Sequence, residues 1–188
     1  MKTLTIKKGG GGDYVEFKHG WHKVVISKAA YGDWNGKRYL DVFFEGLPES
    51  FNLRTYEKIN QKTNEEFSIM QVFRFANAGI SDSLDSQTGE TVLKIDDSPD
   101  QLTGKDLNIF MYKDGEYYRA LNRCAPTTFE GVAETFSDKD VDYWKKKAVS
   151  YFDEYVAPNI DGDIPANGEI IPTAEASQGD STNAEMPF

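Results

Sequence analysis

The aromatic rings Trp34, Tyr39, Phe43 and Tyr56 and the cations Lys23, Lys37, Arg38 and Arg54 lie within one stretch of chain. Rings and cations together have the chemistry to hold unpaired nucleic-acid bases. A ring stacks on any base, at about 1–3 kcal/mol per base, and a cation neutralises a phosphate. The spacing sorts these side chains. Lys37 to Glu45 alternates with period two, so Leu40, Val42 and Phe44 face one way and Lys37, Tyr39, Asp41 and Phe43 the other. The second face carries two rings beside a cation, which is unusual for a solvated surface, and it reads as a binding platform. Arg38 falls on the Leu40 side by strict alternation, but it lies at the strand's start, where the turn can free it. The competing arrangement packs the rings under the N-terminal segment or the C-terminal helix. Trp34, beside Asn35-Gly36, is expected to be exposed.

The elements that must position these groups are strands. Gly20 opens a long strand containing the apolar run Val24, Val25 and Ile26. Tyr31 to Gly36 is turn chemistry ending in the Asn-Gly pair favoured by tight hairpins. Lys37 to Glu45 follows, Gly46-Leu47-Pro48 breaks it, and Phe51 to Tyr56 alternates again. Thr63 and Glu66 have capping-box spacing and predict a helix over 64–78, stopped at Gly79. Residues 81–101 are polar and acidic and read as an insertion, with a short strand at 91–95. Leu107 to Tyr112 and Tyr117 to Cys124 flank Lys113-Asp114-Gly115-Glu116 as a second hairpin. Its Tyr117, Tyr118, Arg119 and Arg123 form a second line of binding candidates. Ser137 and Asp140 start a second helix, over 138–156, with Val141, Trp144, Ala148, Phe152 and Tyr155 on one face. Lys145, Lys146 and Lys147 beside that face read as a solvated patch.

The order is three strands, a helix, then two strands, which is the order of the five-stranded oligonucleotide-binding barrel, a Greek-key fold, and a five-stranded Greek-key barrel of another kind would give the same order. That barrel binds on its second and third strands, here 37–45 and 50–56, flanked by the loops 31–36 and 113–116. The fold class expected is therefore mainly β with two helices: one domain over 1–156, then a tail over 157–188. The tail is rich in Gly, Pro, Ala, Ser and Asn, has no Lys or Arg, and is expected to be disordered.

Net charge is −10, which at first argues against a polyanion ligand. Its distribution softens the objection. Residues 1–80 carry 12 Lys and Arg against 9 Asp and Glu, 81–156 carry 9 against 16, and 157–188 none against 6. The acidity sits away from the platform. The basic excess there is small, so stacking rather than phosphate attraction must supply much of any affinity.

Other chemistries find little support. The four glycines at 9–12 are not followed by Gly-Lys-Ser/Thr, so they are no phosphate-cradling loop. His19 and His22 flank Gly20 in a strand with no cluster of Cys or carboxylates to complete a metal site. Asp161-Gly162-Asp163 lacks the spacing of a calcium loop. Cys124 is the only cysteine, which excludes an intrachain disulfide and reads as a small buried residue in a reducing cytoplasm. No apolar stretch approaches a membrane span, and no secretory signal is apparent. No nucleophile elbow or paired carboxylates appear, so neither enzyme activity nor a cofactor is expected.

The tail, ending in Met186-Pro187-Phe188, resembles the acidic tails of bacterial single-stranded-DNA-binding proteins, which are tipped by a short Pro-Phe peptide. From about Gly12 to Pro126 the body resembles the single-stranded-DNA-binding proteins encoded by bacteriophages. The likeness rests on the Gly20 strand start, Asn35-Gly-Lys-Arg-Tyr-Leu40, Phe75-Ala-Asn-Ala-Gly79 and Tyr112-Lys-Asp-Gly-Glu-Tyr-Tyr118. The tail departs from the bacterial pattern in having only Asp180 and Glu185 as acids in its last ten residues. The resemblance implies a sequence-tolerant protein that coats single strands in replication, recombination or repair. It also implies recruitment of partners through Met186, Pro187 and Phe188, with Phe188 filling an apolar pocket and its carboxylate meeting a cation. The rival readings are an acidic β-barrel that binds another protein, as a DNA mimic or inhibitor, and a phage structural or accessory subunit of the same fold.

Overall fold

A computed structural model of the chain describes residues 17–84, 89, 91–131 and 134–160. It is mainly β, with two α-helices among the described residues. Strands β1 (Gly20–Trp34), β2 (Lys37–Phe44) and β3 (Leu53–Tyr56) form a meander, and β6 (Asp106–Asp114) and β7 (Tyr117–Ala120) form a hairpin. The β1 strand joins the two, giving one antiparallel five-stranded sheet in the order β3-β2-β1-β6-β7. Between β3 and β6 lie helix α1 (Ser68–Phe75) and a separate hairpin, β4 (Ile80–Leu84) with β5 (Thr91–Ile95). After β7 come a short hairpin, β8 (Phe129–Glu130) with β9 (Thr135–Phe136), and helix α2 (Asp138–Tyr151).

The sharing of β1 depends on a bulge. Residues 20–25 pair with β6 and residues 26–34 with β2, and the register slips between Ile26 and Lys28. The extra residue bends the strand, so that it serves two partners in succession. Ile26 at the bend keeps its backbone bonds: its N–H donates to the Lys105 carbonyl, and its carbonyl accepts from Gly104.

One side of this curved sheet is the core. Val24, Ile26, Leu40, Val42, Leu53, Leu107, Ile109 and Met111 are buried there against Ile69, Val72, Phe73 and Phe75 of α1. The edge strands β3 and β7 do not pair, so the sheet is open where the sequence leads one to expect a closed barrel. Phe17 spans the gap, with its ring 5.3 Å from Phe51 and 5.5 Å from Tyr118.

Helix α1 starts later than the sequence suggests. Thr63 is not its cap, because Asn64 has a left-handed φ of 58° and the chain doubles back through an Ile59–Glu66 bridge. Glu66 takes over that task, its carboxylate accepting from the N–H groups of Ser68, Ile69 and Met70. The helix also ends before Gly79. Asn77 turns left-handed (φ 49°), and the Ala78 N–H closes on the Phe73 carbonyl. Gly79 serves a different need: a Cβ there would lie 2.2 Å from the Asp96 carbonyl oxygen.

The second helix follows its sequence signals. Ser137 and Asp140 form the reciprocal capping box, and Val141, Ala148 and Phe152 are buried while Tyr155 is exposed. Beyond Tyr151 the backbone continues as a π-turn to Val156 and a 3-10 turn over Ala157–Asn159. Ile160 still packs on the cluster around Phe110 and Phe152. Met186, Pro187 and Phe188, the four glycines and Asp161-Gly162-Asp163 lie outside the described residues. Among the described residues no helix is long and apolar enough to cross a membrane.

Candidate nucleic-acid interface

The β1–β2 turn fixes which side chains share a face. Asn35 and Gly36 both take left-handed φ, 52° and 74°, the geometry of the tight hairpin turn, and the Gly36 N–H donates to Asp33. Strand β1 runs to Trp34, so the indole sits at the strand's end rather than on a loop tip, and it is half-buried. The turn sets Trp34 opposite Lys37, Gly32 opposite Tyr39 and Lys28 opposite Phe43. In turn β2 sets Tyr39 opposite Tyr56 and Asp41 opposite Arg54. Residues opposite one another share a face, so all nine project away from buried Leu40, Val42, Phe44 and Leu53.

Tyr39 is the centre of this outward face. Its ring lies across Gly32: a Cβ added to Gly32 would sit 2.2 Å from the Tyr39 Cζ. The Tyr56 ring meets it edge-on with centroids 5.6 Å apart, and the Arg54 guanidinium lies 4.0 Å from the Tyr39 centroid. Arg54 is held in turn by a fork of two 2.8 Å bonds to the buried carboxylate of Asp41. Those bonds raise the guanidinium's proton affinity further, so it is a permanent cation. They also compensate its charge, which makes Arg54 a flat stacking and positioning group more than a free phosphate ligand. Phe43 has the Lys28 ammonium 4.7 Å above its ring, and Lys28 also bonds Glu49 at 2.6 Å. Lys37 is exposed and makes no ion pair among the described residues. Rings on this face are half-buried, with one side against the sheet and one toward solvent.

The rest of the sheet's outer side is covered. Phe110 and Leu121 pack under Ala148 and Phe152, with Trp21 and Tyr112 at the margins. Helix α2 thus occludes the β6–β7 half, and among the described residues the β1–β2–β3 half is left open.

Several sequence candidates lie elsewhere. Arg38 stays on the Leu40 side, as alternation dictates. Its guanidinium stacks 3.7 Å from the Tyr31 centroid and pairs with Asp97 at 3.2 Å. The Tyr31 hydroxyl donates to the Asp97 carbonyl at 2.9 Å, and burial, then that aspartate, drives its pKa upward. Together they fasten the base of the β4–β5 hairpin to β1 and β2. Lys23 lies beyond the bulge and pairs with Asp106 at 2.6 Å. Tyr118 turns inward onto Phe17 and the core, Arg119 is paired with buried Asp114, and Tyr117 is exposed at the far hairpin. Lys145 and Lys147 lean toward Trp21 and Trp144, at 5.7 and 5.1 Å. His19 packs edge-on against Phe110, and the His22 Nε2–H donates to the Lys18 carbonyl. Cys124 is buried, which pushes its thiol pKa up to about 12.

Sequence reasoning named Trp34, Lys37, Tyr39, Phe43, Arg54 and Tyr56, and the structure brings those six onto one face. It missed Gly32, Asp41 and Lys28. Gly32 left a usable signal, since a glycine inside a strand marks a close approach. Asp41 and Lys28 gain their meaning only from the register.

Comparison with protein-family models gives no match, and comparison with curated proteins gives no significant match.

Proposed function

We propose that this chain binds single-stranded DNA without strong sequence preference, on the open outward face of β1, β2 and β3. What carries the reading is the plate formed by Tyr39, Tyr56 and Arg54, with Trp34, Phe43 and Lys37 on the same face. Flat groups in a row suit successive unpaired bases, because every base has a π face. The fold is read as an oligonucleotide-binding barrel left open between its third and fifth strands. A meander, a helix and a hairpin joined through the first strand support that reading, and such barrels are partly open and bind on strands two and three. In this assignment the loops at Asn35-Gly36 and at Gly115-Glu116 flank the site. The role is that of a phage-type replication, recombination or repair protein acting in the host cytoplasm. Its C-terminal Met186-Pro187-Phe188 recruits replication and recombination proteins.

Titration of the full chain with oligo-dT, followed by intrinsic fluorescence, tests this. Quenching is expected for the wild type and should be largely lost in Tyr39→Ala/Tyr56→Ala. A wild-type chain with no affinity for oligo-dT at low salt overturns the proposal. It would leave the acidic, protein-binding reading suggested by the net charge of −10.

A further inference from the structure

Helix α2 meets the start of β1 across a cleft of about 580 Å³, lined by Trp21, Asp142, Lys145, Lys146, Val149 and Ser150. That volume falls in the range of small-ligand sites, about 300–1,000 Å³. The five helical residues form one stripe, because side chains three and four apart are neighbours on a helix. Trp21 is half-buried, and its place is fixed. It pairs with Phe110 across β1 and β6, and the two rings meet edge-on with centroids 5.4 Å apart. Phe110 is in turn buried with Ala148 and Phe152 of the helical segment, so the indole needs no reordering to receive a ligand. The Lys145 ammonium stands 5.7 Å from the indole centroid. Lys146 is exposed at the same cleft, and neither lysine enters an ion pair among the described residues.

The cleft opens on the same face of β1 as the aromatic plate. Before the bulge Val24 and Ile26 point into the core, so Trp21, Lys23 and Val25 point outward. The register slip between Ile26 and Lys28 shifts the alternation by one, and beyond it Lys28, Gly32 and Trp34 point outward instead. One face therefore runs from Trp21 past Lys23 and the Lys28–Phe43 pair to Tyr39. Lys23, on the way, is in an exposed pair with Asp106, a kind of contact that costs little to break. From Trp21 to Lys28 the strand covers at most about 23 Å. That is about seven nucleotides at the spacing of about 3.4 Å in a stacked strand, within the site lengths of about 4–16 nucleotides known for single-strand binding on one barrel.

A flat ring beside two ammonium groups and one carboxylate suits a ligand that joins a planar apolar part to an anion. A nucleotide has both, and the face that leads from the plate to the cleft supplies the continuity. We propose that the cleft between Trp21 and α2 seats one further nucleotide of the bound single strand, with its base on the indole and its phosphate on Lys145 and Lys146. This rests on the single-stranded-DNA reading above and adds a direction to it: the strand runs lengthwise along β1, from the Tyr39 plate across the bulge to the α2 edge.

The test compares oligo-dT of about 4 and about 16 nucleotides, the short and long limits of such sites, on the full chain across a salt series. The short strand fits the plate alone, and the long one reaches the cleft. Lys145→Gln/Lys146→Gln lies on the helix surface, so its melting temperature should equal the wild type's. It should weaken 16-mer binding severalfold and make the log–log salt slope shallower by about 1.4, two phosphate contacts at about 0.7 each, with the 4-mer unchanged. Asp142→Asn should tighten the 16-mer and leave the 4-mer alone. Trp21→Ala should weaken the 16-mer at least about fivefold, the lower limit for one lost stack. Wild-type affinity and slope for the 16-mer in the lysine variant overturn the site, as does an equal loss for both lengths. Binding of the acidic peptide of residues 180–188 to the cleft, with the lysine variant still holding the 16-mer normally, would assign the cleft to a protein ligand and overturn the proposal too. Tyr39→Ala/Tyr56→Ala separates the two ideas. If that variant loses the 4-mer while the lysine variant keeps the 16-mer, the plate stands and the cleft falls. If it binds both lengths normally, the plate has failed.

Discussion

Replacing Gly32 with alanine places a methyl group where the Tyr39 ring now lies. The added carbon would be 2.2 Å from Cζ, 2.3 Å from the hydroxyl oxygen and 2.6 Å from Cε2. No carbon tolerates such contacts, so the ring must swing off β1. Tyr39 is half-buried, and the clashing atoms are the far end of a side chain that can rotate toward solvent. The cost to folding is therefore small: loss of the Tyr56 edge contact and the Arg54 stack, about 1 kcal/mol, is partly offset by the gain of about 0.5–1 kcal/mol for removing a glycine from a strand. The cost to binding is larger. Losing one base stack is worth about 1–3 kcal/mol, or a roughly 5- to 150-fold weaker Kd. The assay is oligo-dT titration of Gly32→Ala, Tyr39→Ala and the double variant, with urea denaturation of each. Affinity should fall in Gly32→Ala with near-normal stability, and the double variant should bind no worse than Tyr39→Ala alone. Additive losses, or wild-type affinity in Gly32→Ala, would refute the idea that the glycine acts through the ring.

Other outcomes follow from the same contacts. Arg54→Ala leaves the buried Asp41 carboxylate without its fork and should cost about 1.5–3 kcal/mol in urea unfolding, whereas Lys28→Ala, which breaks an exposed pair, should not move the midpoint. Glu66→Ala should destabilise by about 1–2 kcal/mol through loss of the α1 cap, with Thr63→Ala neutral, as denaturant midpoints can show. Cys124 should resist iodoacetamide in the folded chain at pH 8 and react once unfolded, because burial holds it as a thiol up to about pH 12. Its contribution to stability is constant below the ordinary thiol pKa of about 8.5. Above that the unfolded chain ionises first, so stability should fall as pH rises, and Cys124→Ala should abolish this part of the dependence.

Signals confined to a few neighbouring residues were legible in the sequence. Asn35-Gly36 needs no distant partner to adopt its turn, and the alternation of 37–44 places Tyr39 and Phe43 opposite Leu40 and Val42 by pleat alone. Ser137 and Asp140 close their box within one helical turn. Thr63 and Glu66 show the same spacing but fail as a box, because a bridge between Ile59 and Glu66 bends the chain back. Glu66 thereby becomes a cap for the helix after it. Strict alternation placed Arg38 correctly on the Leu40 side, and the allowance for a nearby turn misled, because Tyr31 and Asp97 capture the guanidinium there. The fork between Arg54 and Asp41 depends on β2–β3 register across an eight-residue connection of irregular chain. The seam between β3 and β7 is bridged by Phe17, which reaches Phe51 and Tyr118 from outside either strand. Neither is written in any local run of residues.

The salt dependence of oligo-dT affinity for the full chain probes the central claim most directly, because it separates rings from cations. Stacking by Tyr39, Tyr56, Trp34 and Phe43 with few uncompensated cations should leave firm binding at raised salt and a log–log slope of about −1 to −3. A slope steeper than about −5, the mark of many phosphate contacts, or no binding at low salt, would contradict it.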